Sequence, residues 1–223
     1  DLNTQYFSDE IVALLREAKF ISYRCFYADD KSELNLQKIL GRNDTISHPD
    51  LAFILYSNVR KSETKSVENK NKSKIVGINI FPWYFSLNRG KWISKDYSNN
   101  YFGISSKSQP DYVRLGSDYI KLLLEMINFY QNLGYIVHHI PFAVEDDLFA
   151  KSILSSNLNI VFHNYTSNPS DVLKQISNFS LFVGTRLHAN IFALIQRVPL
   201  ISIAYGMKCE NLFADLGIPR SNQ

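Results

Sequence analysis

The sequence predicts an α/β protein built from two Rossmann-like units, of which the first is incomplete. Segments with apolar residues at helical spacing alternate with short apolar segments, most regularly after Lys74. These short segments are apolar almost throughout, which is typical of strands in a parallel sheet covered by helices on both faces. A run rich in Lys, Asn and Ser, residues 58–74, interrupts the alternation and predicts a linker. The predicted boundaries are 1–60 for a partial first domain, 61–73 for the linker and 74–223 for the second domain.

The elements of the first unit are predicted from their spacing and from the residues at their ends. Ser8 is the expected N-cap of the first helix. Gly41 stops the second helix, because glycine readily adopts the left-handed conformation that ends helices. The predicted elements are helices 9–18 and 31–40 and strands 20–23 and 51–56.

The second unit has five predicted strands and five predicted helices. Pro82 breaks the first of these strands, and Gly134 closes a long helix. The strands are 75–80, 135–140, 159–162, 181–183 and 200–204, and the helices are 111–133, 144–155, 169–178, 187–196 and 209–216. Right-handed crossovers place the carboxyl ends of all these strands at one edge of the sheet, and ligands bind at that edge.

Residues 81–110 are aromatic and polar without a sustained period, and they predict a long loop. Loops of this length are often functional. Trp83, Tyr84 and Trp92 fit two roles, stacking on sugar rings or forming a packed lid.

Composition excludes several classes of protein. The formal net charge of +3 is small and mostly dispersed, so that no nucleic-acid partner is expected. Two cysteines, Cys25 and Cys209, predict neither a disulfide framework nor a zinc site, and no metal-ligand or cofactor motif is present. No apolar stretch approaches the ~20 residues that cross a bilayer, and no signal peptide is visible. We therefore expect the reducing cytoplasm.

The most informative stretch, residues 181–208, predicts an anion site. An apolar strand leads into Gly184, which permits a close approach, and Arg186 and His188 open the next helix. The start of a helix favours negative charge, and a guanidinium forms a planar fork for phosphate or carboxylate. Lys208 follows the next strand and emerges at the same edge, so that three nitrogen donors are expected to converge on one anion.

Other polar residues are weaker candidates. Glu145, Asp146 and Asp147 either form a catalytic acid cluster or, more commonly, cap a helix and balance its dipole, although Asp146 also fits a contact with a bound substrate. One residue of the pair His138 and His139 is expected to pack and the other to face a cleft or a helix, while His163, at the end of a strand, fits an approach to the cleft.

The segment GTRLHA, residues 184–189, followed by VPLI at 198–201 and AYGMK at 204–208, closely resembles the carboxy-terminal signature of the polysaccharide pyruvyl transferases. ISYR at 21–24, HPDLAF at 48–53 and IPF at 140–142 resemble shorter upstream segments of that family. The resemblance covers nearly the whole chain, and the Arg-Leu-His block is its specific part.

This resemblance implies a fold similar to the two-domain GT-B-like glycosyltransferases and a transferase that moves pyruvate from phosphoenolpyruvate onto sugar hydroxyls as a ketal. It implies cell-surface polysaccharide synthesis, no cofactor beyond the donor substrate, and a sugar acceptor that includes lipid-linked oligosaccharides. Peripheral membrane association through the acceptor or partners, at the inner face of the membrane, follows. The substrate-binding residues that it implies are Gly184, Thr185, Arg186, Leu187, His188, Lys208 and Arg24.

Arg186 and His188 are the expected catalytic residues, with His188 as general acid or base. Two alternatives remain at this stage. One is a nucleotide-sugar glycosyltransferase of similar fold that uses Arg186 and Lys208 on a diphosphate. The other is a non-catalytic carbohydrate-binding scaffold. The pyruvyl transferase is expected to bind phosphoenolpyruvate and the glycosyltransferase a nucleotide sugar, whereas the stability of a scaffold should not change with either donor.

Overall fold

A computed structural model describes residues 8–24, 32–55, 74–94, 111–154, 158–204 and 206–218. The described residues within Asp1–Ser62 and Gly206–Gln223 cluster as one compact unit, and those within Glu63–Tyr205 cluster as a second. The predicted linker, 61–73, lies outside the described residues. The last helix, predicted as part of the second domain, groups with the first unit.

The elements follow one another in the order that the sequence predicts, with a few differences. They are α1 (Asp9–Glu17), β1 (Ile21–Arg24), α2 (Ser32–Leu40), β2 (Thr45–His48), a 3₁₀ helix (Leu51–Ile54), β3 (Ile75–Ile78), β4 (Phe85–Asn88), β5 (Lys91–Ser94), α3 (Tyr112–Asn132), β6 (Ile136–His139), α4 (Val144–Ile153), β7 (Ile160–Phe162), α5 (Pro169–Ile176), β8 (Leu181–Gly184), α6 (Leu187–Ile195), β9 (Leu200–Ser202) and α7 (Met207–Asp215).

The first unit pairs β1 with β2 in parallel and packs Ile21 against Leu36 and Leu40 of α2. Ser8 caps α1 as predicted, since its side chain accepts a hydrogen bond from the amide of Ile11. The strand predicted over 51–56 is wrong over its described residues, which form the 3₁₀ helix. Asp50 explains the difference, because its buried side chain accepts from the amide of Ala52 and caps a helical turn.

The second unit is built on a five-stranded parallel sheet in the order β7-β6-β3-β8-β9. Counted from β3, this is the order 3-2-1-4-5 of a Rossmann sheet, which confirms the predicted parallel α/β architecture for this unit. The strand order reverses between β3 and β8. Such a reversal is the point in an open α/β sheet where ligands bind, outside the carboxyl ends of the strands.

One face of the sheet packs an apolar core against α3 and α4. Val76 and Ile78 of β3 lie on this face with Leu123 of α3 and Phe149 of α4. Gly77 points to the other face, where a Cβ atom would overlap the ring of Phe179. The central strand therefore requires glycine at this position for close packing.

Part of the loop predicted over 81–110 is a β-hairpin, β4 paired antiparallel with β5. Its tight turn places Arg89 and Gly90 at φ 47° and 78°, the left-handed region that a two-residue hairpin turn demands. The rings of Phe85 and Trp92 pack on Phe149, 4.9 and 5.0 Å away between centroids. Residues 95–110 lie outside the described part of the chain.

Candidate active site

Asn79 and Thr185 join the carboxyl ends of β3 and β8 at the point where the strand order reverses. The backbone amide of Asn79 donates to the carbonyl of Val183 at 2.8 Å, and the Thr185 hydroxyl donates to the carbonyl of Asn79 at 2.8 Å. The side-chain oxygen of Asn79 accepts from the backbone amide of Arg186 at 3.0 Å. Arg186, the N-cap residue of α6, is thereby fixed by its backbone at the edge of the sheet.

Asp146, in the first turn of α4, is the buried acceptor of this site. Its side chain is fully buried and accepts from the side-chain amide of Asn79 at 3.2 Å and from the backbone amide of Phe142 at 3.0 Å. Arg186 Nε lies 2.9 and 2.8 Å from the two Asp146 oxygens, and Arg186 Nη2 lies 2.8 Å from Oδ1. The carboxylate therefore grips one edge of the guanidinium, in the bidentate manner that suits arginine.

Two further contacts complete the environment of the guanidinium. Arg186 Nη2 also donates to Glu145 Oε1 at 2.8 Å, and the guanidinium carbon lies 4.0 Å from the centre of the Phe81 ring. The side chain of Arg186 is 23% exposed, whereas that of Glu145 is 53% exposed. The guanidinium therefore contacts the buried carboxylate of Asp146, the aromatic ring of Phe81 and the exposed carboxylate of Glu145.

Burial and pairing act in opposite directions on the charges of this cluster. Burial raises the pKa of Asp146 above its ordinary value, and the hydrogen bonds and charge of Arg186 oppose that rise. Burial also disfavours the charged form of Arg186, but Asp146 and Glu145 outweigh it and hold the pKa of the guanidinium above its ordinary value. Arg186 therefore stays charged at the edge of the sheet.

The sequence profile of one family, described as polysaccharide pyruvyl transferase, matches residues 3–207. The chain belongs to this family. Membership makes it a transferase of pyruvyl groups with a sugar or polysaccharide acceptor. Neither the curated proteins nor the solved structures contain a match to the chain.

In this pyruvyl transferase, the residues of the signature differ in accessibility. Gly184, Thr185 and Leu187 are buried, while His188 on the first turn of α6 is exposed. The close approach that Gly184 permits is made by the protein itself, since a Cβ atom there would overlap the side chain of Asn190. Direct contact of these residues with substrate stays a prediction.

The convergence of Arg186, His188 and Lys208 on one anion stays a prediction. Lys208 is exposed on α7, which belongs to the first unit. Arg24 ends β1 in that same unit, and its side chain lies outside the described part of the structure. Their roles as substrate-binding residues remain predictions that rest on the resemblance.

The acidic cluster at the start of α4 divides into three environments. Asp146 is the buried partner of Arg186, Glu145 is its exposed partner, and Asp147 pairs with Lys151 at 2.8 Å. Asn79 was not predicted as a site residue. The signal for it was available, because a polar residue interrupts the otherwise apolar run 75–80.

The histidines of β6 point to opposite faces of the sheet. His139 is fully buried, and burial lowers its pKa to about 4. His138 is half-buried, and its Nδ1 lies 2.8 Å from Nε2 of His163. His163 in turn lines a cleft of about 540 Å³ at the carboxyl end of β7. The cleft is bounded by Phe162, His163, Asn164, Tyr165, Thr166, Asp171, Lys174 and Gln175. The approach of His163 to the predicted substrate cleft stays a prediction.

The described aromatic residues of the predicted loop pack against other aromatic rings of the second unit. Tyr84 lies edge-on to Tyr119, and Trp92 lies edge-on to Phe149. Trp83 lies 5.9 Å from Phe81, the ring that covers Arg186. Within the described ranges, no group of three or more His, Cys, Asp and Glu residues is placed to hold a metal ion, and no helix is long and apolar enough to cross a membrane.

Proposed function

We propose that this pyruvyl transferase takes pyruvate from phosphoenolpyruvate and attaches it as a cyclic ketal to sugar hydroxyls of a cell-surface polysaccharide or its lipid-linked precursor. The observation that supports this most is the position of Arg186. A charged guanidinium stands at the start of a helix, beside the reversal of strand order, where an open α/β sheet binds its ligand.

Arg186 suits the donor because phosphoenolpyruvate carries a phosphate and a carboxylate. The guanidinium has five N–H donors in a rigid plane, and the start of α6 lacks a side-chain cap hydrogen bond. A helix start adds a favourable field for anions. Lys208 and Arg24 are proposed, on the resemblance, to add positive charge for the donor, and the fold is proposed to be GT-B-like.

The chemistry requires one proton to be placed and one phosphate to depart. Protonation of the terminal enol carbon gives a methyl group and an oxocarbenium-like centre, which one sugar hydroxyl attacks. A second hydroxyl displaces phosphate and closes the ketal. The two hydroxyl groups lose two protons in total: one equals the proton that was delivered to the enol carbon, and the other leaves with phosphate. His188, exposed on the first turn of α6, is proposed as the general acid or base. The cationic groups stabilise the departing phosphate.

The acceptor places the reaction at a membrane surface. A lipid-linked oligosaccharide lies at the inner face, and we propose that the enzyme acts there from the cytoplasm by peripheral association. No cofactor is proposed, since the donor supplies both the carbon skeleton and the leaving group.

Donor binding is tested by chemical unfolding with and without millimolar phosphoenolpyruvate. The expected stabilisation is about 2.7 kcal/mol when the ligand exceeds its dissociation constant about 100-fold. Arg186→Lys should lose most of it, because lysine keeps the charge but not the fork. Arg114→Lys, an exposed arginine of α3, is the matched control and should keep it. A nucleotide sugar that stabilises the wild type where phosphoenolpyruvate does not would overturn the proposal.

The role of His188 is tested by acceptor-dependent phosphate release. His188→Ala should lower kcat by about 10²–10⁴-fold and leave the donor dissociation constant near the wild-type value. An equal loss of turnover and donor affinity would assign His188 to binding alone.

A further inference from the structure

The guanidinium of Arg186 offers two edges to anions. One edge consists of Nε and Nη2, and Asp146 occupies it with both oxygens. The other consists of Nη1 and the second hydrogen of Nη2. Glu145 takes that second hydrogen at 2.8 Å, and Nη1 makes no hydrogen bond with any residue that the structure describes. The outer edge is therefore only half occupied.

The two carboxylates are held with unequal firmness. Asp146 is fully buried and accepts two further hydrogen bonds, from Asn79 and Phe142. Glu145 contacts Arg186 through one oxygen, and half of its side chain is exposed to solvent. Breaking a buried pair is strongly unfavourable, whereas an exposed pair contributes little to stability. Glu145 can leave the guanidinium, and Asp146 cannot.

The charges of the three side chains oppose anion binding as long as Glu145 stays. Arg186 contributes one positive charge, and Asp146 and Glu145 contribute two negative charges, so that the cluster carries a net charge of −1. A phosphate or carboxylate that approaches the outer edge meets the oxygen of Glu145. Removal of Glu145 brings the cluster to neutrality and opens Nη1 and Nη2 together as a fork.

We propose that Glu145 occupies the place of the donor anion on Arg186 and must be displaced when the donor binds, while Asp146 stays as the partner that positions the guanidinium. This inference rests on the proposed function, because it identifies the anion as the phosphate or carboxylate of phosphoenolpyruvate. Glu145 is thus an affinity-determining residue that lowers the occupancy of the site by the donor.

The test is calorimetric titration of the full chain with phosphoenolpyruvate and, separately, with inorganic phosphate. Glu145→Gln should tighten donor binding about fivefold, the factor that corresponds to an exposed ion pair of ~1 kcal/mol. The donor KM should fall with it while kcat stays unchanged. Asp147→Asn is the matched control, since it removes the same charge from the same turn of α4 but touches Lys151 instead of Arg186. Asp147→Asn should leave both constants unchanged.

The outcomes separate this inference from the proposed function. Unchanged or weaker donor binding by Glu145→Gln, or equal tightening by both variants, would overturn the displacement. If neither protein binds phosphoenolpyruvate but Glu145→Gln binds inorganic phosphate more tightly than the wild type, the proposed donor is wrong and the displacement stands. If Glu145→Gln binds neither anion, the displacement is wrong as well. An unfolding curve that matches that of the wild type confirms for each variant that the fold is retained.

Discussion

The buried His139 predicts that the sheet-containing unit loses stability in mild acid. Its ring is fully buried on β6, and neither ring nitrogen has a hydrogen-bond partner among the described residues. Burial lowers its pKa from 6.5 to about 4, and the charge of Asp147 opposes this shift. The unfolded chain therefore takes up a proton near pH 6.5 that the folded chain refuses until about pH 4.

The sign and size of the effect follow from these two values. Between about pH 4 and pH 6.5 the unfolded state binds more protons than the folded state. The free energy of unfolding therefore falls as the pH falls. The contribution of His139 is fully present above about pH 6.5. It decreases by about 2 kcal/mol on acidification to pH 5 and by about 3 kcal/mol once the pH has passed through both values.

The perturbation that isolates this contribution is His139→Leu, which keeps an apolar side chain of similar size and removes the titrating group. Urea unfolding is followed by tryptophan fluorescence, because Trp83 and Trp92 both lie in the second unit. The difference between the wild-type and variant free energies of unfolding, measured at about pH 7.5 and pH 5, cancels the other titrating groups. A difference of about 2 kcal/mol between the two pH values is expected. Parallel curves would refute the buried, uncharged state of His139.

Two further substitutions test the packing around the site. Asp146→Ala should lower the free energy of unfolding by about 3–5 kcal/mol, because it leaves the half-buried charge of Arg186 without its firmer partner; a loss below ~1 kcal/mol in urea unfolding would show that the pair is solvated. Gly77→Ala should cost about 1–3 kcal/mol, because its methyl group must displace the ring of Phe179, and an unchanged unfolding midpoint would contradict that close contact.

The second unit was largely predictable because its signals are local. Long apolar runs and helical spacing located β3, β6 and α3 within one or two residues. The hairpin of β4 and β5 was missed, although Phe85 and Trp92 alternate with polar residues on either side of a turn that contains Gly90. Short strands within an aromatic segment do not stand out from a loop by periodicity alone.

The position of Arg186 at a strand–helix junction was predictable from the sequence, but its contacts were not. Arg186 was identified from the strand–helix junction that it occupies, which is a local pattern. Its partners Asn79 and Asp146 lie 107 and 40 residues away, and they reach it only because β3 lies beside β8 in the sheet. Strand order is set by the packing of whole helices and strands, and no local pattern in this chain encodes it.

The arrangement explains why Arg186, the arginine proposed to bind the donor, needs carboxylates at all. A guanidinium that is three-quarters covered is unstable without a counter-charge when no ligand is present, and its direction is undefined without a bidentate partner. Asp146 supplies both the counter-charge and the bidentate contact, but it occupies one edge of the guanidinium and neutralises its charge. In the proposed function an anion then binds only through the remaining edge, and the affinity depends on which group occupies that edge in the absence of the donor. The exposed Glu145 at that edge keeps Arg186 paired, and in the proposed displacement it gives way to a ligand with more negative charge, such as a dianionic phosphate.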